Sequence, residues 1–227
     1  MRSSRFAWLA CISLLGVTAA AEARPSAAAA RRAKKDAAGA DPSHWFATRQ
    51  GLLRVYQERS ADKKNAAQES DDPGAPPPAG ASCEVVESTP KDGDQAARTR
   101  ESCTMISGRK PKGGAQLTYE LRESGIYMVE SKVEGPADAV KMEHLLLPTI
   151  HKGKSWSEKR GTVTLARTVK SAGTACKAAD RKFGDCLVLS VVEREGKKTR
   201  RRYNEVYAAG VGLVEDAQWE LIDVKGL

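Results

Sequence analysis

Aromatic residues are scarce in this chain, at 5% of 227 residues, and there are only three histidines. So few rings leave little platform for stacking bases. Three histidines with no H-x-x-x-H and no C-x-x-C spacing give no metal-ligand signature. G-x-S-x-G is also missing, which excludes the nucleophile elbow of the α/β-hydrolases. Long hydrophobic runs are absent too. The longest runs from Phe6 to about Val17, short of the roughly 20 apolar residues that span a bilayer. No transmembrane segment is therefore expected.

That short run carries the strongest signal in the sequence. Arg2 and Arg5 precede it, and small residues ending in Ala21-Glu22-Ala23 follow it. This is the build of a secretory signal peptide with an A-x-A cleavage site, over residues 1–23. Cys11, after Trp8-Leu9-Ala10, loosely resembles a lipobox cysteine. It lies mid-run, so lipidation there would leave apolar residues on the mature chain, and a released periplasmic or secreted protein is the expectation. Cleavage leaves 204 residues and removes Arg2, Arg5 and Glu22, lowering the net charge from +8 to +7. A moderately basic surface suits anionic partners. Export argues against nucleic acid among them.

Export also changes what the cysteines mean. Cys83, Cys103, Cys176 and Cys186 remain, an even number, and an oxidising compartment predicts two disulfides. Three pairings are open. The local ones, Cys83–Cys103 and Cys176–Cys186, are preferred because each pair flanks a polar loop beside a strand-like run. Each bridge is worth roughly 2–4 kcal/mol. A metal site joining these thiols to His144 or His151 lacks the spacing, so no metal and no cofactor is expected.

Residues 24–40 are Ala-rich and basic, and they read as a solvated tail with no apolar face. Residues 60–81, with Pro76-Pro77-Pro78, read as a long surface loop. The remainder, 41–227, reads as a single β domain. Ala115, Leu117, Tyr119 and Leu121 alternate with polar residues, which places them on the buried face of a strand. Glu123-Ser124-Gly125 then turns the chain into Ile126–Val133. Leu187, Leu189 and Val191 form a central strand, joined by Glu195-Gly196-Lys197 to a partner from Thr199 to Tyr207. Trp219, Leu221 and Asp223 face one way, with Glu220, Ile222 and Val224 opposite. Asp41-Pro42 is a helix-start signal, but Leu53–Gln57 alternates, so an opening strand is expected from about Leu52. The sum is an all-β fold, a curved antiparallel sheet closing as a half-barrel or barrel.

Candidate sites are few. Gly210-Val211-Gly212 reads as a turn, because strand and not helix follows it. Glu193 and Glu195 share a strand face but sit among Arg194, Lys197 and Lys198, as a solvated ion-pair patch would. The densest basic run, Lys197–Arg202, could offer Lys198, Arg200 and Arg202 to an anion. It also suits a charged strand edge that discourages aggregation. Trp45, Trp156 and Trp219 are core, rim or cavity-mouth residues. No catalytic residue is expected.

Three segments carry a resemblance. They are Leu147-Pro148 through Gly153-Lys154-Ser155-Trp156, Phe183 through Leu189, and Tyr203 through Tyr207-Ala208-Ala209-Gly210-Val211-Gly212-Leu213-Val214. Together they resemble a widespread group of exported bacterial β-proteins of uncharacterised function with a Y-A-x-G-V-G-L-V signature. The resemblance spans about residues 42–224. It implies an architecture similar to the LolA/LolB-like lipoprotein carriers, and it brings no catalytic residues. The function expected from it is a non-enzymatic cell-envelope protein. Such a protein would hold an apolar, lipid-like ligand or another envelope protein on the concave sheet. The alternative is a structural or interaction module with no small-molecule ligand.

Overall fold

The computed structural model describes residues 40–59, 79–107, 110–133 and 143–227. The expected signal peptide, nearly all of the basic tail and residues 60–78 of the Pro-rich stretch lie outside them. Twelve strands follow in order: β1 Leu53–Glu58, β2 Gly80–Thr89, β3 Ala97–Ser107, β4 Lys110–Arg122, β5 Gly125–Val133 and β6 Glu143–Leu146 come first. Then come β7 Ser155–Arg160, β8 Val163–Ala178, β9 Arg181–Glu195, β10 Lys198–Ala208, β11 Gly212–Glu215 and β12 Trp219–Lys225. β2 begins at Gly80, inside the 60–81 bounds expected for the Pro-rich stretch.

All twelve strands join one sheet in the order β6-β5-β4-β3-β2-β1-β12-β11-β10-β9-β8-β7. Every pairing is antiparallel, and β1 closes the meander onto β12. The result is a nearly closed barrel. β6 and β7 are consecutive in the chain yet form the two free edges. Side chains span this seam in place of a ladder. Glu158 accepts from the His144 backbone amide at 2.6 Å, and the Trp156 indole donates to the His144 carbonyl at 3.4 Å.

Alternation decides which residues go inside. Leu165, Val169, Leu189 and Val191 are buried on neighbouring strands, as period two requires. Bulges adjust the pattern. A register shift at Val55/Tyr56 sets Leu221 opposite Tyr56 and Val224 opposite Arg54. Leu221 and Val224 are thus both buried, whereas unbroken alternation would put them on opposite faces. Three further shifts bend the β8–β9 hairpin. Its tip reaches β12, where the Ala179 amide donates to Glu220 at 2.6 Å and Arg181 pairs with Asp223.

The helix-start signal at Asp41-Pro42 yields one 3₁₀ turn, Pro42–Trp45, with the Asp41 carboxylate accepting from Ser43 N. Ala40 bridges to Ile150 in the β6–β7 connection. From there the chain enters the barrel, and Trp45 is 1% exposed. Trp45 and Phe46 join Tyr119, Ile126, Leu146, Leu187, Leu189 and Tyr207 in one apolar cluster. Both local disulfides are formed: Cys83–Cys103 across paired positions of β2 and β3, and Cys176–Cys186 within the bent hairpin.

Candidate functional site

The barrel interior is not uniformly apolar. Inward positions of β1, β3, β6, β8 and β10 carry Arg54, Glu101, Glu143, Arg167 and Glu205, all buried. Arg54 pairs with Glu101. Arg167, 2% exposed, gives Nε to Glu205 at 2.9 Å and Nη2 to Glu143 at 3.0 Å. Arg160 reaches Glu143 from the rim of the seam. Taking such charges out of water is tolerable only when they are paired and hydrogen-bonded, and here each carboxylate has an arginine.

Tyrosines adjoin both ion-pair groups. Tyr56 donates to the Leu213 carbonyl at 2.8 Å and Tyr207 to Glu205 at 3.2 Å. Burial pushes the Tyr56 phenol up to about 12. Burial, then the charge of Glu101, raises Tyr119; burial, then the charge of Glu205, raises Tyr207. Five buried polar atoms have no partner among the described residues: Arg54 Nε, Thr99 Oγ1, Glu143 Oε2, His144 Nε2 and Arg167 Nη1. Three of them lie at or beside the β6–β7 seam.

A second polar knot fixes the entering N-terminal segment. Asp185 on β9 accepts from His44 Nε2 at 2.8 Å and from Trp45 Nε1 at 2.9 Å. Partial burial raises the Asp185 carboxyl, and these two bonds outweigh it, leaving a net lowering. Gly210 N donates to the His44 carbonyl. The Gly210-Val211-Gly212 segment is thus a turn that receives the incoming chain.

At one end of the barrel a cleft of about 1170 Å³ opens between Asp41–Ser43, the β2–β3 turn and the β4–β5 turn. Leu121, Ile126 and Pro42 give it apolar wall, and Arg98, Glu120 and Arg122 give it charge. Glu120 accepts from both arginines. Burial raises the Glu120 carboxyl, but the bonds from Arg122 and Arg98 more than offset this, so it sits below its ordinary range.

The sequence-derived anion residues are not brought together as one patch. A register shift between Thr199 and Arg201 places Lys198 opposite Glu195 and Arg202 opposite Val192. Lys198 and Arg202 therefore lie on opposite faces, and Arg200 pairs with Glu195 at 3.5 Å. Glu193 faces inward, paired in register with Arg201 and Leu165. His144 stacks on Tyr127 at 4.3 Å, and His151 is exposed. Among the described residues no group of three His, Cys, Asp or Glu could hold a metal ion. No described helix is long and apolar enough to cross a membrane. The buried charges were missed in the sequence because Arg54, Arg167 and Glu205 occupy polar-looking positions whose inward parity shows only once the register is known.

No family model and no curated protein matches the chain. Two solved structures are similar. One is a protein described as exported, with a YmcC-like fold, from Bacteroides fragilis NCTC 9343. It is 11% identical, with 80% of this chain and 98% of that chain covered at a TM-score of 0.49. The other is a protein described as a lipoprotein from Parabacteroides distasonis ATCC 8503. It is 12% identical, with 82% of this chain and 100% of that chain covered at a TM-score of 0.41.

Proposed function

We propose that this chain is a non-catalytic extracytoplasmic interaction module that works through its surface and carries no small molecule inside the barrel. The observation that carries this reading is the filled interior, where Trp45 and Phe46 are buried against Tyr119 and Leu187. The two disulfides support the compartment, in line with the signal peptide expected over residues 1–23. The pairing of Glu101, Glu143 and Glu205 with arginines supports the non-catalytic part, since these carboxylates are buried and engaged in ion pairs inside the barrel. Native mass spectrometry of protein purified from its own envelope tests the reading. The bare mass of the processed chain is expected, and a stoichiometric lipid adduct would overturn it.

One observation favours the carrier reading, in which the fold works as the LolA/LolB-like carriers do. The end cleft has an apolar wall at Leu121 and Ile126, and such a wall suits the hydrocarbon part of an amphiphile. A retained lipid displaced by Leu121→Arg, in a variant that keeps its β-sheet circular dichroism, would decide for it.

A further inference from the structure

The outer face of β7–β10 is free of carboxylates. Three cross-strand rows define it. Lys159, Thr164, Arg194 and Thr199 are directly opposite one another in the first row; Ser157, Ala166, Val192 and Arg202 form the second. Ser155, Thr168, Ser190 and Asn204 form the third, and Lys170 bonds to Asn204 at 3.1 Å from the same face. Lys159, Lys170, Arg194 and Arg202 are all exposed. Of the acidic residues of these strands, Glu158, Glu193, Glu195 and Glu205 sit at positions of the opposite parity, and Asp185 is engaged by His44 and the buried Trp45. Among the described residues the outward cations Lys159, Arg194 and Arg202 have no carboxylate partner on this face, whereas Arg98 and Arg122 share Glu120.

We propose that this face binds a linear polyanion, a chain bearing sulfate, phosphate or carboxylate groups, laid across the strands. The inference rests on the surface-interaction reading above and names the partner's chemistry. Strands about 4.8 Å apart put Lys159 on β7 and Arg194 on β9 roughly 10 Å from each other, with Arg202 on the next strand and one row along. The cations thus descend obliquely across the sheet at intervals a flexible polymer can follow. Hydroxyl and amide side chains such as Ser157, Thr168 and Asn204 lie between and beyond them and can hydrogen-bond to polar groups of the same chain. No Phe, Trp or Tyr lies on these rows to insert into a bilayer. Cations with no inserting ring beside them add little membrane affinity of their own, so the polymer is favoured over a lipid surface.

The test uses the processed, disulfide-bonded protein and dextran sulfate, with neutral dextran as control. Binding is measured by titration at several salt concentrations. The wild type is expected to bind dextran sulfate and not dextran. The triple variant Lys159→Gln/Arg194→Gln/Arg202→Gln is expected to bind at least about tenfold more weakly, with a log–log salt slope lower by about 3, one per lost cation. A charge-matched variant, Lys152→Gln/Lys154→Gln/Lys225→Gln, changes exposed cations off this face and is expected to bind within about twofold of wild type. Equal weakening in both variants would reduce the effect to net charge and overturn the proposal. Binding to phosphatidylglycerol vesicles without binding to dextran sulfate would overturn it in favour of a membrane. A native mass equal to that of the bare, processed triple variant keeps the filled-interior reading separate, so polymer binding can fail without that reading failing.

Discussion

At the scale of single residues, the costliest features of this molecule are its buried charges. Arg54 and Glu101 have side chains only 5% and 4% exposed, and each is the other's ion-pair partner. Removing one partner strands the other in a low-dielectric interior, which typically costs about 3–5 kcal/mol, whereas replacing both with apolar groups of similar volume is often near neutral. Glu101→Gln is therefore expected to lower the urea midpoint by an amount equivalent to about 3–5 kcal/mol. Arg54→Met/Glu101→Met is expected to lose less than the single variant. A loss under about 1 kcal/mol for Glu101→Gln would show that water reaches the pair. Gly125 is a different kind of constraint. It turns β4 into β5 at φ +128°, and a Cβ there would meet the Leu146 carbonyl oxygen at 2.1 Å. Gly125→Ala must therefore push β6 away from β5, next to the seam. The expected outcome is a destabilisation of several kcal/mol, because backbone strain adds to the clash. Near-wild-type thermal unfolding of that variant would contradict the close approach.

At the scale of elements, much of the fold is written plainly in the sequence. The alternation at Ala115–Leu121 and the turn at Glu123-Ser124-Gly125 match the β4–β5 hairpin. Leu187–Val191 is the buried central strand that its apolar run suggests. Register shifts are where legibility ends, because a bulge depends on the partner strand and leaves no local mark. This is why Leu221 and Val224 share a buried face, and why Lys198 and Arg202 part company. Parity within β8 shows the same limit from the other side. Arg167 stands between Leu165 and Val169 in perfect alternation, yet its charge disguises an inward position that only Glu143 and Glu205 make tolerable. The bent β8–β9 hairpin depends on a covalent brace as well as on its contacts with β12. The Cys176→Ala/Cys186→Ala variant is expected to lose about 2–4 kcal/mol, with the loss concentrated in the tip. Proteolysis within 171–186 would become faster, and the rest of the sheet would stay protected. Uniform loss of protection across the barrel would show that the tip and the ring unfold as one unit.

At the scale of the whole molecule, the meander is a ring made by one long-range pairing, β1 with β12, and interrupted at one place, between β6 and β7. A ring has no edges to offer another chain. The one interruption is screened by Glu158 and Trp156, which occupy the backbone groups of His144. What fills the ring also sets how it responds to alkali. Of the five tyrosines, Tyr56, Tyr119 and Tyr207 are buried, and burial raises all three phenols, Tyr56 to about 12. An unfolded tyrosine titrates near 10. Below that pH both states hold their protons, and the contribution of these phenols to stability is fully present. Above it the unfolded chain sheds protons that the native barrel keeps, so stability falls as pH rises. Tyr56 alone has a window of about 2 pH units, from about 10 to about 12, worth about 3 kcal/mol. Absorbance at 295 nm and far-UV circular dichroism, followed together through this range, are expected to change in one cooperative step, with the buried phenols ionising as the sheet is lost. Tyr56→Phe removes that window and is expected to shift the step to higher pH. Smooth ionisation of all five phenols while the β signal persists would mean that solvent enters the barrel freely, which a ring plugged by Trp45 and Phe46 does not allow.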